Sequence, residues 1–376
     1  MSEPSAFMAR ALALAREVAG RTSPNPAVGA VVVRDGRIVG EGTYRGPGSP
    51  HGEAAALAAA GEAARGSAVY VTLEPCSHHG RTPPCVEAIL AAGAAEVHFP
   101  HLDPDPRVSG RGRARLEAAG IRVVVGEGEA EARRVNEAYL KHRTTGLPFV
   151  VAKFAASLDG RIAATSGDSR WVSGPQTRVW AHELRTRIDA IAVGVNTVLV
   201  DDPQLTARVE SASDPPRLAE RQPLRVVIDS RGRTPREAKA LGCGARTLVA
   251  TTDVSPEGWR REIEDAGARV AVLPADGRGR VELPALLSLL GESEVVTLLV
   301  EGGGVLLGSF FDERLVDKVH AILAPMIIGG AEAPAAVAGV GAARMADALR
   351  LQDVSVERLG DDVLVTGYAV WRGDGA

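Results

Sequence analysis

Cysteine is scarce: the 376 residues contain three, Cys76, Cys85 and Cys243. So few thiols exclude a disulfide framework and fit a reduced, cytoplasmic protein. Long apolar runs are missing as well, and no segment reaches membrane-spanning length. The opening stretch, Met1 to Ala19, mixes Glu3, Arg10, Arg16 and Glu17 among alanines and leucines, so it lacks the apolar core of a secretory signal. Charge of one sign is lacking too. A formal net charge of -4 provides no basic field for a phosphate backbone, which excludes nucleic acid as the default partner. Local arginine clusters remain free to hold a small phosphorylated molecule. The chain has no short internal repeat and no Gly-x-Gly-x-x-Gly fingerprint, so a Rossmann domain is not implied.

What is present is length enough for two domains, each with an α/β pattern. Met8 to Ala19 reads as a helix. Ala27 to Val33 and Arg37 to Thr43 flank Asp35-Gly36, a hairpin signal. Helices are then expected over Pro50 to Ala64, Pro84 to Ala92 and before Gly120. They alternate with strands over Ala68 to Leu73, near Val97 and over Ile121 to Val125. Glu129 to Arg143 reads as one amphipathic helix, and the break Thr144 to Pro148 marks a boundary, giving domains 1–146 and 147–376. In the second domain, strands are expected at Phe149 to Phe154, Ala190 to Gly194, Leu224 to Ile228, Thr247 to Ala250, Val295 to Val300 and Val316 to Leu323. The last feature is a hairpin of Val354 to Leu359 and Val363 to Trp371.

Two of the three cysteines fall in a cluster that carries chemistry. Pro50-His51-Gly52-Glu53 and Glu74-Pro75-Cys76, followed by Pro83-Pro84-Cys85, supply one imidazole, two thiols and a free carboxylate. Three such ligands suit a catalytic zinc with one position open for water, and His-x-Glu followed by Pro-Cys is the zinc deaminase signature up to the first cysteine. Glu53 is the candidate proton carrier. His51, Cys76 and Cys85 each follow a proline where a helix is expected to begin, and helix N-termini favour thiolates. A closed structural zinc site would need a fourth ligand, for which His78 or His79 is at hand, but would leave Glu53 without a role.

In the second half, Glu301-Gly302-Gly303-Gly304 leads from a strand into an apolar helix start, a turn that can present backbone amides to phosphate. Ser157 to Arg161, Gly167 to Trp171 and Gly194 to Pro203 lie near strand ends, where open α/β sheets bind ligands. Arg185 and Arg208 have the forked donors that phosphate anchors use.

Taken together, these motifs resemble the bifunctional riboflavin biosynthesis deaminase/reductase family over nearly the whole chain. The long insertion between the two cysteines is the most specific match. Pro24-Asn25-Pro26-Ala27-Val28-Gly29, Ala156 to Arg161, Asp201-Asp202-Pro203 and Val227-Ile228-Asp229-Ser230 add to it. The resemblance implies a cytidine-deaminase-like α/β/α sandwich followed by a dihydrofolate-reductase-like α/β domain. The first would deaminate a diamino-ribosylamino-pyrimidinone phosphate, and the second would reduce its ribosyl group to ribityl with NADPH. It also implies His51, Cys76 and Cys85 as zinc ligands and Glu53 as proton carrier. Nucleotide contacts would come from Ala155, Trp171, Thr197, Asp201, Ser230 and the run Gly303, Gly304, Val305, Leu306, Leu307, Gly308 and Ser309. Substrate contacts would come from Ser169, Arg185, Leu205, Arg208 and Glu301. Lys153, Asp201 and Glu301 stand as unranked proton donors for the reduction, and homo-oligomerisation is left open. The chain departs from the family pattern at Gly52, where alanine is usual, and at Asp105, where asparagine is usual. A deaminase of another amino-pyrimidine or purine fused to a different reductase is the alternative, and a zinc-stabilised scaffold without turnover is a third reading.

Overall fold

The computed structural model describes residues 4–46, 48–79, 83–209, 217–242 and 244–371. Cys243 and residues 80–82 of the cysteine loop lie outside them. The chain divides into two compact units, Met1–Gly146 and Leu147–Ala376.

The first unit opens with α1 (Ala6–Val18), capped by Ser5, whose Oγ accepts the Met8 N–H at 3.3 Å. β1 (Gly29–Arg34) and β2 (Arg37–Thr43) form the expected hairpin. Its turn residues Asp35 and Gly36 have φ of 51° and 73°, as a two-residue primed turn demands. α2 (Gly52–Ala60), β3 (Ala68–Val71), α3 (Cys85–Ala92), β4 (Glu96–Phe99), α4 (Arg111–Ala118) and β5 (Arg122–Val125) follow. The five strands pair in the order β2-β1-β3-β4-β5, with β1 antiparallel to both neighbours and β3, β4 and β5 parallel. Successive residues of β1 face opposite ways. Ala30 and Val32 join Ala56, Val86, Ile89 and Leu116 on one side, while Val31 and Val33 join Met8, Leu12 and Ala132 on the other. Helices therefore cover both faces. α2 lies tight on β2, because a Cβ on Gly40 or Gly42 would fall 2.2 or 2.3 Å from the carbonyl oxygens of Ala56 and Gly52.

Two helix expectations need correction. The helix after Pro50 ends at Ala60 and gives way to a 3-10 turn, Gly61–Ala64. The single helix expected over Glu129 to Arg143 is two, α5 (Glu129–Val135) and α6 (Glu137–Thr145), broken at Asn136. The cause is a pairing distant in sequence. The Asn136 side chain accepts the Ala27 N–H at 2.8 Å and donates to the Ala27 C=O at 3.0 Å, and it is buried to 4 % exposure.

The second unit is built on β6 (Phe149–Ser157), α7 (Pro175–Arg185), β7 (Ala190–Gly194), α8 (Val195–Asp201) and the short pair β8 (Arg208–Val209) and β9 (Arg217–Leu218). It continues with β10 (Leu224–Ile228), β11 (Thr247–Thr251), α9 (Glu257–Asp265), β12 (Arg269–Val272) and α10 (Leu283–Glu292). β13 (Thr297–Gly302), α11 (Gly304–Asp312), β14 (Lys318–Ala324), β15 (Arg350–Leu359) and β16 (Asp362–Val370) complete it. Nine strands pair in the order β12-β11-β10-β7-β13-β6-β14-β16-β15. Those from β12 to β14 run parallel, and the terminal hairpin adds antiparallel. The central strands are buried on both faces and read as apolar runs, as parallel sheets require. Ala190, Ala192, Val226, Leu298 and Val300 pack there against Leu286, Leu287, Leu290 and Phe310. Among the described residues no helix is long and apolar enough to cross a membrane.

All four tryptophans, Trp171, Trp180, Trp259 and Trp371, lie in the second unit, so their fluorescence reports on that unit. Asn136→Ala is expected to lower the stability of the first unit by roughly 2–4 kcal/mol, because it strips the partners from both the N–H and the C=O of the buried Ala27. Urea unfolding followed by circular dichroism should show that loss, while the tryptophan transition stays in place.

Candidate active sites

In the first unit the sequence cluster closes in space. His51 is the N-cap of α2 and Cys85 the first residue of α3, so both stand at positive helix ends. Cys76 does not begin a helix as expected. It lies in irregular chain, where its carbonyl accepts the Val86 N–H at 3.2 Å and its Sγ accepts the Cys85 N–H at 3.3 Å. The N-terminus of α3 therefore serves both thiols. His51 Nδ1 sits 3.2 Å from Cys85 Sγ and 3.5 Å from Cys76 Sγ, and the three ligand atoms lie within 4.8 Å of one another. His78 and His79 do not join this group, and His79 instead meets Glu87 at 3.5 Å.

The electrostatics of this cluster are those of a site short of a positive charge. The hydrogen bond from Cys85, aided by His51, holds the Cys76 thiol down at about 4. The bond to Cys76, burial and the nearby Glu53 push Cys85 far up. One negative charge thus serves two sulphurs, and only a cation between them lets both ionise. The donor set of imidazole and two thiols fits zinc. Glu53, in the first turn of α2 and 4 % exposed, is raised to about 7 by burial and by the Cys76 charge. Gly52 matches its setting, since a Cβ there would lie 3.0 Å from the Val28 carbonyl oxygen.

Several residues to which sequence reasoning assigned no such role surround this cluster. The Tyr44 ring meets His51 edge-on, with centroids 5.4 Å apart, and its hydroxyl accepts from Asn25 Nδ2 at 2.7 Å. The buried Glu74 carboxylate accepts N–H groups of Asp103 at 3.1 Å, Gly110 at 3.0 Å and Arg113 at 3.1 Å. That binds the segment carrying Cys76 to the loop before α4. Tyr139 donates to Asp103 at 3.0 Å in the same loop. Asp105 turns its carboxylate to Arg107, whose Nη2 donates at 2.6 Å. Its charge is met there and lies well down at about 2. Only the proximity of Glu74 to Cys76 in sequence hinted at any of these roles.

The second unit holds a cavity of about 890 Å³ at the C-terminal ends of β6, β13, β7 and β10. Ala155, Trp171, Thr197, Asp201 and Ser230 line it, as do Gly303, Gly304, Val305, Leu306, Leu307 and Ser309. Gly303 caps α11, and Gly304 starts it so close to the neighbouring chain that a Cβ would fall 2.2 Å from the Ala335 carbonyl oxygen. The first amides of α11 thereby face the cavity unpaired by the helix. Gly308 sits apart from that wall, packed where a Cβ would fall 2.0 Å from the Ala338 carbonyl oxygen.

Ser169 and Glu301 line the cavity together with Lys153. Ser169 Oγ donates to Asp201 at 2.8 Å. Arg185, Leu205 and Arg208 are not on its wall. Arg185 reaches it through Glu301, donating from Nε at 3.1 Å. Leu205 is 3 % exposed with φ of 54°, and Arg208 pairs with Gln204. Burial pushes the Glu301 carboxyl up, but Arg185 and Lys153 together hold it at about 2. Burial lowers Lys153 against the pull of Glu301. His182 is lowered to about 4 by burial, Arg185 and Arg208. Sequence reasoning passed over Arg231, Arg233, Arg278 and Arg280, which also line the cavity.

One histidine, two cysteines and a buried glutamate at two helix N-termini in the first unit, and a strand-end cavity in the second, fit a two-activity enzyme: a deaminase joined to a reductase. Comparison with known proteins agrees. Residues 1–100 match the cytidine and deoxycytidylate deaminase zinc-binding region, and residues 148–365 match the RibD C-terminal domain. The riboflavin biosynthesis protein RibD of Escherichia coli is 40% identical over 362 residues, 95% of this chain and 97% of that protein. Its counterpart from Aquifex aeolicus is 39% identical over 360 residues, 96% of each. Among solved structures, Acinetobacter baumannii RibD aligns with a TM-score of 0.86 at 37% identity, covering 97% of this chain and 98% of that one. The Thermotoga maritima diaminohydroxyphosphoribosylaminopyrimidine deaminase/5-amino-6-(5-phosphoribosylamino)uracil reductase aligns at 0.81 and 33% identity, again over 97% and 98%. The chain belongs to the RibD family of bifunctional deaminase/reductases in riboflavin biosynthesis.

His182 gives the second unit a pH dependence. Its folded value lies below the ordinary one, so the unfolded chain binds more protons between about 4 and 6.5 and stability is lost as pH falls through that window. His182 is only partly buried, so solvent screening holds the loss through this group from about pH 7 to about pH 5 to roughly 1 kcal/mol. His182→Gln should lose less by that amount in urea titrations read by tryptophan fluorescence.

Proposed function

We propose that residues 1–146 deaminate a 2,5-diamino-6-ribosylamino-pyrimidinone 5'-phosphate and that residues 147–376 reduce its ribosyl group to ribityl with NADPH. The convergence of His51, Cys76 and Cys85 beside the buried Glu53 carries this reading. The three side chains would hold the zinc, which when bound supplies the acidity that makes water a nucleophile at neutral pH. Glu53, set two residues past His51 on the first turn of α2, takes the proton of the attacking water on its carboxylate. It then returns that proton to the amine as ammonia leaves. Tyr44 and Asn25 hold the His51 ring in place, and Glu74 holds the Cys76 segment against the 103–113 loop. Among other carboxylates nearby, Asp105 is engaged by Arg107.

In the second unit NADPH, when bound, supplies a hydride. Reduction of ribosyl to ribityl places that hydride on the anomeric carbon and a proton on the ring oxygen that leaves it. The three candidate donors separate by their surroundings. Glu301 is held ionised by Arg185 and Lys153 and has no proton to give. Asp201 accepts from Ser169 and is in use as an acceptor. Lys153 lines the cavity, and burial there lowers its hold on a proton, as a proton donor requires. Arg185 orients Glu301, whose charge favours the protonated form of Lys153.

The test separates the two units. Glu53→Gln should lower ammonia release by roughly 10²–10⁴-fold and leave reduction of the deaminated intermediate intact. Lys153→Met should lower reduction by a similar roughly 10²–10⁴-fold while ammonia release and NADPH binding persist. Loss of both activities in either folded variant would contradict two independent sites.

A further inference from the structure

The cavity of the second unit has a wall that the reduction itself does not use. Four arginines, Arg231, Arg233, Arg278 and Arg280, line it with only two acidic residues, Asp276 and Glu313, among them, in a chain whose net charge is -4. They come from two loops, one leaving β10 and one between β12 and α10. Ser230 Oγ joins the loops by accepting the Val281 N–H at 3.0 Å.

Buried or partly buried carboxylates fix both loops before any ligand arrives. Asp229, fully buried, accepts N–H groups of Gly232 at 3.1 Å, Arg233 at 2.6 Å and Thr234 at 2.7 Å. Asp276 accepts those of Arg278 and Arg280, each at 2.8 Å. Arg280 is itself held, with Nε 3.3 Å from Asp276 and Nη1 donating to Ser309 at 3.1 Å. The guanidinium groups of Arg231, Arg233 and Arg278 have no partner among the described residues, and all three are exposed. Three uncompensated forks on a pre-set wall are a receptor for a doubly charged phosphate monoester.

Position identifies which one. Lys153 lies on β6, and the arginine loop starts where β10 ends. β13 and β7 lie between them in the sheet. Three strand spacings separate the two by roughly 14 Å. A mononucleotide bound at Lys153 does not reach that far, whereas an extended dinucleotide does. We propose that Arg231, Arg233 and Arg278 bind the adenosine 2'-phosphate of the cofactor and so select NADPH over NADH. This rests on reading the cavity as the dinucleotide site. The rival source of the same chemistry is the 5'-phosphate of the pyrimidine substrate, which the Lys153 end of the cavity would have to place within reach.

Titration calorimetry on the full chain tests this with NADP⁺, NAD⁺ and 2',5'-ADP as probes. Arg231→Gln, Arg233→Gln and Arg278→Gln each should weaken NADP⁺ and 2',5'-ADP by about tenfold or more and leave NAD⁺ unchanged. The salt dependence of NADP⁺ binding should flatten in the triple variant. Arg344→Gln, which removes an exposed guanidinium paired with Asp347, should change none of these. Unaltered NADP⁺ affinity in the triple variant, or an equal loss for NAD⁺, overturns the proposal while leaving the dinucleotide site standing. So does a raised KM for the pyrimidine phosphate with the NADP⁺ to NAD⁺ ratio unchanged. Failure of the unaltered chain to bind NADP⁺ would overturn the reading of the cavity itself.

Discussion

Two sulphurs and an imidazole nitrogen within 4.8 Å are a poor arrangement unless a cation joins them. Each thiolate resists the ionisation of the other, and the helix N-termini at His51 and Cys85 offset only part of that repulsion. The first unit is organised around this demand. α2 delivers His51 and Glu53 together because Gly40 and Gly42 let it lie against β2. α3 delivers Cys85 and supplies the amides that hold Cys76. With a metal bound, the buried Glu53 carboxylate beside it is placed to carry the protons of a hydrolysis.

Buried acceptors set the loops elsewhere in the molecule. Glu74, Asp229 and Asp276 each collect several backbone N–H groups, nearly all from residues outside helices and strands and one, Arg113, from the first turn of α4. Asp189 does the same for Val296 and Thr297 at 3.0 and 2.9 Å. Leaving such amides unpaired in the interior would be costly, so each carboxylate fixes one loop geometry. The segment that carries Cys76 and the two arginine loops of the cavity are held this way. The two units share the device although their sheets differ, one mixed and one largely parallel.

Much of this was legible in the sequence where the signal is local. Asp35-Gly36 announced its hairpin, Gly93 ended α3 with a φ of 69°, and the apolar runs at Ala190 to Gly194 and Leu224 to Ile228 became strands with those bounds. The zinc cluster was legible because His51 and Glu53 share one helical turn and Cys85 follows a proline pair. Features set by distant partners were not. Nothing near Asn136 indicates that its amide will choose Ala27 over its own helix, and Cys76 shares the N-terminus of another helix although Pro75 suggested one of its own. Arg185 and Arg208, read as phosphate anchors, and Leu205, implied by the family resemblance, lie off the cavity wall, and Arg185 acts through Glu301. The arginines at 231, 233 and 278 carried no signal in the sequence until the fold placed two loops side by side.

The central claim is that the His51, Cys76 and Cys85 cluster exists to hold a metal ion. The direct measurement is the zinc content of the full-length protein after exhaustive dialysis, by elemental analysis, alongside Cys85→Ser. The account predicts about one zinc per chain, and its absence from Cys85→Ser with the tryptophan fluorescence of the second unit unchanged. A folded chain that carries no metal and still releases ammonia at full rate would contradict it.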